Sequence, residues 1–361
     1  MSVRHDSPPS PASPAATDSA ESNASRSHGR RAARRFSGLG RIVAFFALIA
    51  ALAYGFDALV TAGLRRISTS KFGALNQVVG GRVNADIVVN GSSRALVHYD
   101  PRILEQETGL TAFNLGMNAT HIDVQLAILR TYLRHNRKPR LVIQNLEAFT
   151  FVTTRKGEIY DPPLYVPYLD EPELYRTLAT IDPVVRKWRY IPMYGYAIED
   201  LRFTWVRGLL AWGGIQPWED YIKGFNPRNL QWTEDFERFK AAVGDGLTYE
   251  VEPAGVQALR DLIALCREAG VELLLVYSPE YFEAQGLVRN REEIFAAFRR
   301  LTAETGVPLW DFSGSTLARR RDLFYNSQHL NVTGATLFSQ ELSRRLRDEY
   351  AGRLGKGAER R

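Results

Sequence analysis

The order of elements along the sequence predicts an α/β fold, a three-layer sandwich with a parallel sheet between helices. Two observations predict it. Short apolar runs alternate with amphipathic helical segments over residues 84–350, interrupted once, a pattern typical of parallel sheets covered by helices. The run Ile87–Asn90 passes at once into Gly91-Ser92-Ser93-Arg94. This sequence indicates a buried strand that ends in a tight turn.

The remaining elements follow the same alternation, and a flavodoxin-like strand arrangement is the natural expectation. Residues 100–108 predict a helix because Asp100 stands at its start and Pro101 in its first turn. Ile122–His135 predicts a helix from its apolar spacing. Further predicted strands are 111–115, 141–146, 273–277 and 307–311, and further predicted helices are 256–268, 292–305 and 333–350.

An aromatic-rich segment at about 150–250 interrupts the alternation. It holds five of the six tryptophans and many tyrosines. One interpretation is a helical insertion that needs aromatic bulk for its own core. The other is a cap over a binding site, because aromatic side chains that carry a polar group suit surfaces partly exposed to water. The sequence leaves both open.

Composition excludes several classes of protein. The net charge is +6, but much of it comes from arginines near the two ends, and no nucleic-acid module is recognisable. Cys266 is the only cysteine, so neither an intrachain disulfide nor a multi-cysteine zinc site can form. His98, His121 and His329 have no metal-ligand spacing, and no metal or other cofactor is expected.

The amino-terminal part predicts a membrane anchor. Residues 1–41 are rich in Ser, Ala, Pro and Arg and are expected to be a disordered cytoplasmic tail. Residues 42–64 are apolar except for Asp57, and as a helix they would span roughly 34 Å, enough for a bilayer. A linker at 65–83 and a basic carboxyl-terminal tail at 351–361 complete the predicted organisation.

Charges that flank this segment predict its orientation. Five arginines lie just before it, within 30–41, and Arg65, Arg66 and Lys71 follow it, which favours a cytoplasmic amino terminus. The expectation is a single-pass inner-membrane protein with its large domain in the periplasm. A cleavage site at Ala51-Leu52-Ala53 and a twin-arginine signal at Arg34-Arg35-Phe36 are the alternatives to an uncleaved anchor.

Two polar loops carry the candidate chemistry. Ser93 follows the first strand, and His329 lies in the loop that opens the last helix. Because ligands bind at the carboxyl ends of parallel strands, both residues are expected at one edge of the sheet. A serine beside a histidine can act as a nucleophile. The alternative is an ordinary turn in which a serine caps a helix.

Three blocks of the sequence resemble the SGNH hydrolase superfamily. Gly91-Ser92-Ser93-Arg94 resembles its nucleophile block, and Asn114-Leu115-Gly116 its second block. Asn326-Ser327-Gln328-His329 resembles its last block, which is normally Asp-x-x-His. The resemblance covers roughly 84–148 and 255–347. It is nearest to membrane-anchored envelope proteins, including relatives that O-acetylate alginate or help D-alanylate teichoic acid.

The resemblance implies the following roles. Ser93, rather than its neighbour Ser92, would attack an ester carbonyl, and His329 would take its proton. The backbone amides of Ser93 and Gly116 would hold the oxyanion. Asn145 is the candidate for a side-chain donor, although Gln144-Asn145-Leu146-Glu147 matches the family's Gly-x-Asn-Asp poorly; Asn118 is the alternative donor. Arg94 is expected to pair with a carboxylate.

Asn326 stands where the family has aspartate, and three interpretations remain open. His329 works as a slow dyad, Asp311 or Asp322 substitutes for the missing carboxylate, or the site binds without turnover. The expected function is acyl-ester chemistry, as O-acyltransferase or esterase, on a cell-surface polysaccharide. An acyl donor or a membrane acyltransferase would be a partner. The alternative is a catalytically degenerate protein that binds polysaccharide or serves as a scaffold.

Overall fold

A five-stranded parallel sheet organises the chain. The computed structural model describes residues 19–197 and 203–355 and divides into two units, Met1–Gly55 and Phe56–Arg361. The strands of the sheet are β1 (Ile87–Asn90), β2 (Ala112–Asn114), β3 (Leu141–Leu146), β4 (Glu272–Tyr277) and β5 (Leu309–Asp311). A separate antiparallel pair is formed by β6 (Phe324–Asn326) and β7 (His329–Leu330).

Helices precede, connect and follow these strands. Those outside the β3–β4 connection are α1 (Ser19–Leu64), α2 (Ser70–Val79), α3 (Ser93–His98), α4 (Pro101–Thr108), α5 (Ile122–His135), α12 (Pro253–Ala269), α13 (Phe282–Gly286), α14 (Arg291–Thr305) and α15 (Val332–Gly355). Between β3 and β4 lie α6 (Pro162–Tyr165), α7 (Pro172–Ile181), α8 (Val185–Tyr190), α9 (Tyr194–Ala197), α10 (Thr204–Trp212) and α11 (Asp235–Val243).

The strands run in the order β2-β1-β3-β4-β5, all parallel. Alternate residues of β1 enter different cores, because side chains alternate across a strand. Val88 packs with α2, α5, α12 and α14, whereas Ile87 and Val89 pack with α4 and α15. Both faces of the sheet are therefore buried, which explains its unbroken apolar strands. The expected parallel-sheet α/β fold is confirmed.

The segment between β3 and β4 is helical, and its aromatic residues divide into two groups. Trp188, Tyr168 and Tyr196 are buried in the core shared with α2 and α5. Trp212 and Trp218 are exposed, Trp218 completely. The aromatic side chains thus both fill a core and remain available at the surface.

The terminal regions differ from the sequence expectations. Residues 1–18 of the predicted disordered tail lie outside the described residues, but from Ser19 onward the chain is helical and continuous with the apolar segment. Residues 15–37 contain no proline and many Ala and Arg, which are good helix formers. The predicted linker contains α2, which is largely buried. Of the predicted carboxyl-terminal tail, 351–355 continue α15, and 356–361 lie outside the described residues.

Residues Gly38–Leu64 of α1 are long and apolar enough to cross a membrane, with a mean hydropathy of 2.1. The last turns of this helix belong to the second unit. Val60 and Leu64 are buried there, and Asp57 accepts a hydrogen bond of 2.7 Å from the Met193 backbone amide. The carboxylate that interrupts the apolar segment is thus bonded within the folded domain.

Candidate active site

Ser93 stands where β1 turns into α3, at the carboxyl edge of the sheet. The turn depends on Gly91, whose φ of +150° favours glycine. A Cβ on Gly91 would lie 2.8 Å from the Ala95 side chain and 2.9 Å from that of Asn145. Ser93 is the first residue of α3, so its backbone N–H has no acceptor within the helix.

The structure brings Ser93 and His329 together across 236 positions of sequence. The distance between Ser93 Oγ and His329 Nε2 is 2.7 Å. The imidazole stacks on the Tyr325 ring, with centroids 5.4 Å apart and an interplanar angle of 10°. His329 lies on β7 of the short β6–β7 pair rather than in an irregular loop, and this pairing holds the ring in place.

Asn326 determines which nitrogen of His329 carries the proton. Its Oδ1 accepts backbone N–H bonds from Gln328 and His329, each 3.0 Å long. Two N–H donors can be satisfied only by an oxygen, so the amide orientation is fixed. The same Oδ1 lies 2.9 Å from His329 Nδ1. Nδ1 must therefore be protonated, and Nε2 is free to accept the Ser93 hydroxyl proton.

The charge environment keeps His329 neutral. Burial, together with the guanidinium groups of Arg94 and Arg228, lowers the pKa of His329 to about 3. No carboxylate is among the described groups that act on this pKa. The free site thus holds the base in its reactive form at neutral pH, but it disfavours the imidazolium that proton transfer creates.

Arg94 is the centre of a buried ion-pair network beneath the nucleophile. Its guanidinium lies 3.3 Å from Glu280, donates to the Ser278 carbonyl and covers the Tyr277 ring at 4.7 Å. Burial favours the neutral form, but Glu280 and its neighbours outweigh this and raise the pKa of Arg94. The expectation that Arg94 pairs with a carboxylate agrees with this geometry.

His98 is hydrogen-bonded to β7, the strand that carries His329. Its Nε2 accepts the backbone N–H of Leu330 at 3.0 Å, so its proton must lie on Nδ1, which contacts Ser278 Oγ at 3.0 Å. Burial, Arg94 and His329 lower the pKa of His98. A neutral His98 thus fixes the residue next to His329, and among the described residues it lies in no metal-ligand cluster.

Gly116 lies beside α3, but its backbone N–H is already bonded within the protein, so the expectation that this amide holds the oxyanion does not agree with the geometry. A Cβ on Gly116 would lie 2.3 Å from the Leu96 backbone nitrogen, so only glycine permits this approach. Asn114 ties the two segments together. Its side-chain amide donates to the Ala95 carbonyl at 2.7 Å and its oxygen accepts the Gly116 N–H at 2.8 Å.

The two asparagines proposed as side-chain donors occupy different environments. Asn145 is buried, accepts a 2.6 Å bond from the Tyr99 hydroxyl and donates to Glu147 at 3.3 Å. Its amide is therefore engaged away from the oxyanion position. Asn118 is half-buried and lines a cavity together with Gly116, and among the described residues its side-chain amide makes no hydrogen bond.

Ser92 and Glu147 form a second buried pair, separate from the candidate nucleophile. The Ser92 hydroxyl donates to the Glu147 carboxylate. Burial raises the pKa of Glu147, against the opposing effect of Arg94. Ser92 is thus fully buried and committed to a structural bond, whereas Ser93 is half-buried.

The carboxylates suggested as substitutes for Asn326 do not serve that purpose. Asp311 is exposed and its carboxylate accepts the Ser313 amide at 2.8 Å. Asp322 is exposed and pairs with Arg320 at 2.7 Å. His329 Nδ1 is instead bonded to Asn326.

The remaining histidine considered for a metal, His121, packs its ring 5.6 Å from that of Phe149.

Several residues of the site have no signal in the sequence. Arg228 lies in the β3–β4 segment, far from any motif, yet its backbone oxygen accepts the Val332 N–H at 2.8 Å. Glu280 and Ser278 follow β4 without a recognisable pattern. Only the strand-end position of Ser278 could have suggested a place at this edge of the sheet.

Comparisons with known proteins give distant structural similarities. No family model and no curated protein matches the chain. One similar structure is a "putative lipolytic protein of G-D-S-L family" from Desulfitobacterium hafniense DCB-2. It is 12% identical with a TM-score of 0.35, over 72% of this chain and 97% of that one. The native aryl esterase of M. smegmatis is 12% identical with a TM-score of 0.32, over 73% of this chain and 98% of that one. Because these identities are so low, a function for this chain has to be inferred from the geometry of its own side chains.

Proposed function

We propose that this chain is an SGNH-type acyl-ester enzyme with Ser93 as nucleophile and His329 as general base. One observation carries the proposal. Two backbone amides fix the oxygen of Asn326 toward His329 Nδ1, so Nε2 faces the Ser93 hydroxyl as an acceptor. In serine hydrolases, an asparagine behind the histidine is harmful mainly because it imposes the wrong tautomer. Here the local backbone imposes the productive one.

The proposed reaction follows from these positions. Ser93 Oγ attacks the ester carbonyl while its proton moves to His329 Nε2. The backbone N–H of Ser93 and the Asn118 side chain hold the oxyanion, because the single N–H of Gly116 is already donated to the Asn114 side-chain oxygen. His329 returns the proton to the leaving alcohol, which leaves an acyl group on Ser93. Water or a sugar hydroxyl then repeats the sequence in reverse, giving hydrolysis or transfer.

The proposed substrate is an acylated glycan of the cell envelope. Its support is the cavity beside Gly116, at whose rim Tyr160 and Trp218 are exposed. Exposed aromatic faces suit sugar rings. An acyl donor or a membrane acyltransferase would supply the acyl group if the reaction is transfer.

We place the protein in the inner membrane as a single-pass anchor with a periplasmic domain. The apolar helix Gly38–Leu64 and the excess of arginines before it support this placement. The exposed Trp212 of the β3–β4 segment lies beside the end of that helix, where its indole donates to the Leu59 carbonyl at 3.0 Å. Tryptophans are enriched where proteins meet a membrane surface.

We class the folded domain as a flavodoxin-like three-layer sandwich with an aromatic-rich helical insertion. The strand order β2-β1-β3-β4-β5 is the one found in flavodoxin. Cores on both faces of the sheet support the three layers.

Labelling with a fluorophosphonate tests the mechanism. The full chain, purified in a neutral detergent, is treated with the probe, and the modified peptide is mapped by mass spectrometry. We expect modification at Ser93 that is lost in Ser93→Ala and strongly slowed in His329→Ala. His135→Ala, which removes a histidine distant from the site, serves as the matched control. Modification at Ser92, or equal labelling of His329→Ala and wild type, would refute the proposed pair.

The competing function is a non-catalytic polysaccharide binder or scaffold, and the neutral residue Asn326 is the feature that motivates it. Hydrolysis of p-nitrophenyl acetate by the same preparations separates the two. Turnover that requires Ser93 and His329 supports the enzyme. A folded wild-type protein that neither turns over the ester nor reacts with the probe supports the binder.

A further inference from the structure

A cavity of about 460 Å³ opens beside the loop that follows β2, and we call it the α2 cavity. Gly116 and Asn118 line one side of it, together with Leu96 of α3, the helix that begins at Ser93. Leu75 and Val78 of α2 form an apolar wall, and the β3–β4 segment closes the other side. Its volume lies within the range of about 300–1,000 Å³ that is typical of small-molecule sites.

Arg228 is the cation in this cavity whose charge is not paired. Among the residues that the structure describes, its guanidinium has no hydrogen bond and no ion pair. The other cation of the wall, Lys71, pairs with Asp161. Of the nearby acids, Glu219 pairs with Arg207 at 3.2 Å, and Asp220 is exposed at the rim. Arg228 is thus available for a ligand.

The position of Arg228 relative to His329 is fixed by the main chain. Its carbonyl accepts the Val332 N–H at 2.8 Å, at the first residue of α15 and three residues after His329. The guanidinium is close enough to act electrostatically on His329 and on the stacked Tyr325. An anion bound to Arg228 would therefore also interact electrostatically with the His329 imidazole.

The charges around His329 are unbalanced in the free protein. Arg94 and Arg228 both act on it as cations, while the carboxylate of Glu280 is committed to Arg94 and Arg291. Asn326, behind the ring, is neutral. Proton transfer from Ser93 would add a third positive charge at this place. An anion bound at Arg228 would offset it.

We propose that Arg228 binds an anionic group of the substrate, a carboxylate or a phosphate, in the α2 cavity, and that this group supplies the negative charge that Asn326 lacks. The substrate is then an acidic one, whose charged group lies in the α2 cavity while its ester reaches Ser93. The catalytic half of this inference rests on the proposed function. The binding half stands on the cavity and the unpaired cation.

Direct binding tests the first half. The full chain in neutral detergent is titrated by calorimetry with glucuronate, glucose 6-phosphate and glucose. We expect at least one anionic sugar to bind better than glucose and to lose about tenfold or more affinity in Arg228→Gln. Arg300→Gln removes an exposed charge on α14 and is the matched control. The carboxylate and phosphate arms identify the preferred group.

Binding that is the same in wild type and Arg228→Gln would overturn the proposal, and so would equal affinity for the neutral and the anionic sugars. This arm needs no turnover. It therefore decides the role of Arg228 even if the protein proves to be a binder.

Kinetics test the second half with two substrates that differ in charge, the acetyl ester of 4-hydroxybenzoate and the acetyl ester of methyl 4-hydroxybenzoate. Arg228→Gln is expected to lower kcat/KM for the anionic ester about tenfold or more. For the neutral ester it should raise kcat/KM, because a cation that disfavours the His329 imidazolium is gone. Equal losses on both esters would indicate a merely structural role and overturn the inference. Absence of wild-type turnover would count against the proposed function, not against anion binding.

Discussion

Replacing Asn326 by aspartate would change the charge behind His329 while keeping the shape of the side chain. The oxygen that faces Nδ1 at 2.9 Å already accepts two backbone N–H bonds of 3.0 Å. Such donors stabilise a carboxylate. The carboxylate introduced by Asn326→Asp should therefore be ionised at neutral pH without any rearrangement of the β6–β7 pair.

The size of the effect follows from the geometry. A full charge about 4 Å from the imidazolium is worth about 4 kcal/mol at an effective dielectric constant of about 20. That energy corresponds to an increase of about three in the pKa of His329. The pKa would therefore rise from about 3 in the wild type to about 6 in the variant. The same stabilisation acts on the imidazolium of the transition state, so kcat should rise by about 10³-fold.

The assay is hydrolysis of p-nitrophenyl acetate by the full chain in neutral detergent from pH 3 to pH 8. The acid limb of kcat/KM should lie near pH 3 in the wild type, because His329 acts while neutral. In Asn326→Asp it should move to about pH 6. Gln106→Glu adds the same charge at an exposed position of α4 and is the control. An unchanged kcat and an unmoved limb in a folded Asn326→Asp would refute this interpretation of the site.

Three further outcomes are expected. His98→Phe leaves the buried Leu330 N–H without its acceptor; it should cost about 1–3 kcal/mol in urea unfolding and lower kcat by displacing His329. Gly116→Ala places a Cβ 2.3 Å from the Leu96 backbone nitrogen, which forces the loop that carries Asn118 away from α3, so kcat should fall by about 10²–10³-fold. Because the pKa of His329 is lowered on folding, the unfolded chain binds its proton first; stability should fall by up to about 1.4 kcal/mol per pH unit as pH drops from about 6.5 toward 3.

Each of these outcomes has a control. Gly314→Ala introduces the same methyl group where nothing lies within 4 Å, and it should leave kcat unchanged. Equal kcat values for Gly116→Ala and Gly314→Ala would contradict the oxyanion role of the loop that carries Asn118. For the acid dependence, the stability of wild type and of His329→Gln is compared at each pH, so that the difference reports on His329 alone. The same pH dependence of stability in both proteins would contradict this prediction. Wild-type kcat and stability in His98→Phe would show that the Leu330 bond is dispensable.

Local patterns are enough for the positions of the regular elements. The strands Ile87–Asn90 and Leu141–Leu146 and the helix Ile122–His135 lie where the apolar spacing predicts them. The parallel α/β class follows from their alternation. The helix α2 falls in the segment predicted as a linker, because ten residues with weak amphipathicity give little signal; its burial comes from packing against α5 and the β3–β4 segment.

The candidate site is only partly predictable from the sequence. The sequence blocks single out Ser93, His329 and Asn326, and the structure places them in contact. Their catalytic roles stay a prediction. Asn145 is a poorer choice of donor than Asn118, because the direction of its amide depends on Tyr99 and Glu147.

Sequence periodicity alone predicts the α/β class of this protein, the apolar amino-terminal segment and the position of each polar loop after its strand. These features are local, since they depend on residues a few positions apart. The folded chain alone establishes the orientation of the Asn326 amide, the partners of Arg94 and the unpaired Arg228 beside His329. Those features depend on the directions of individual N–H groups and on contacts between distant segments, which no local pattern encodes.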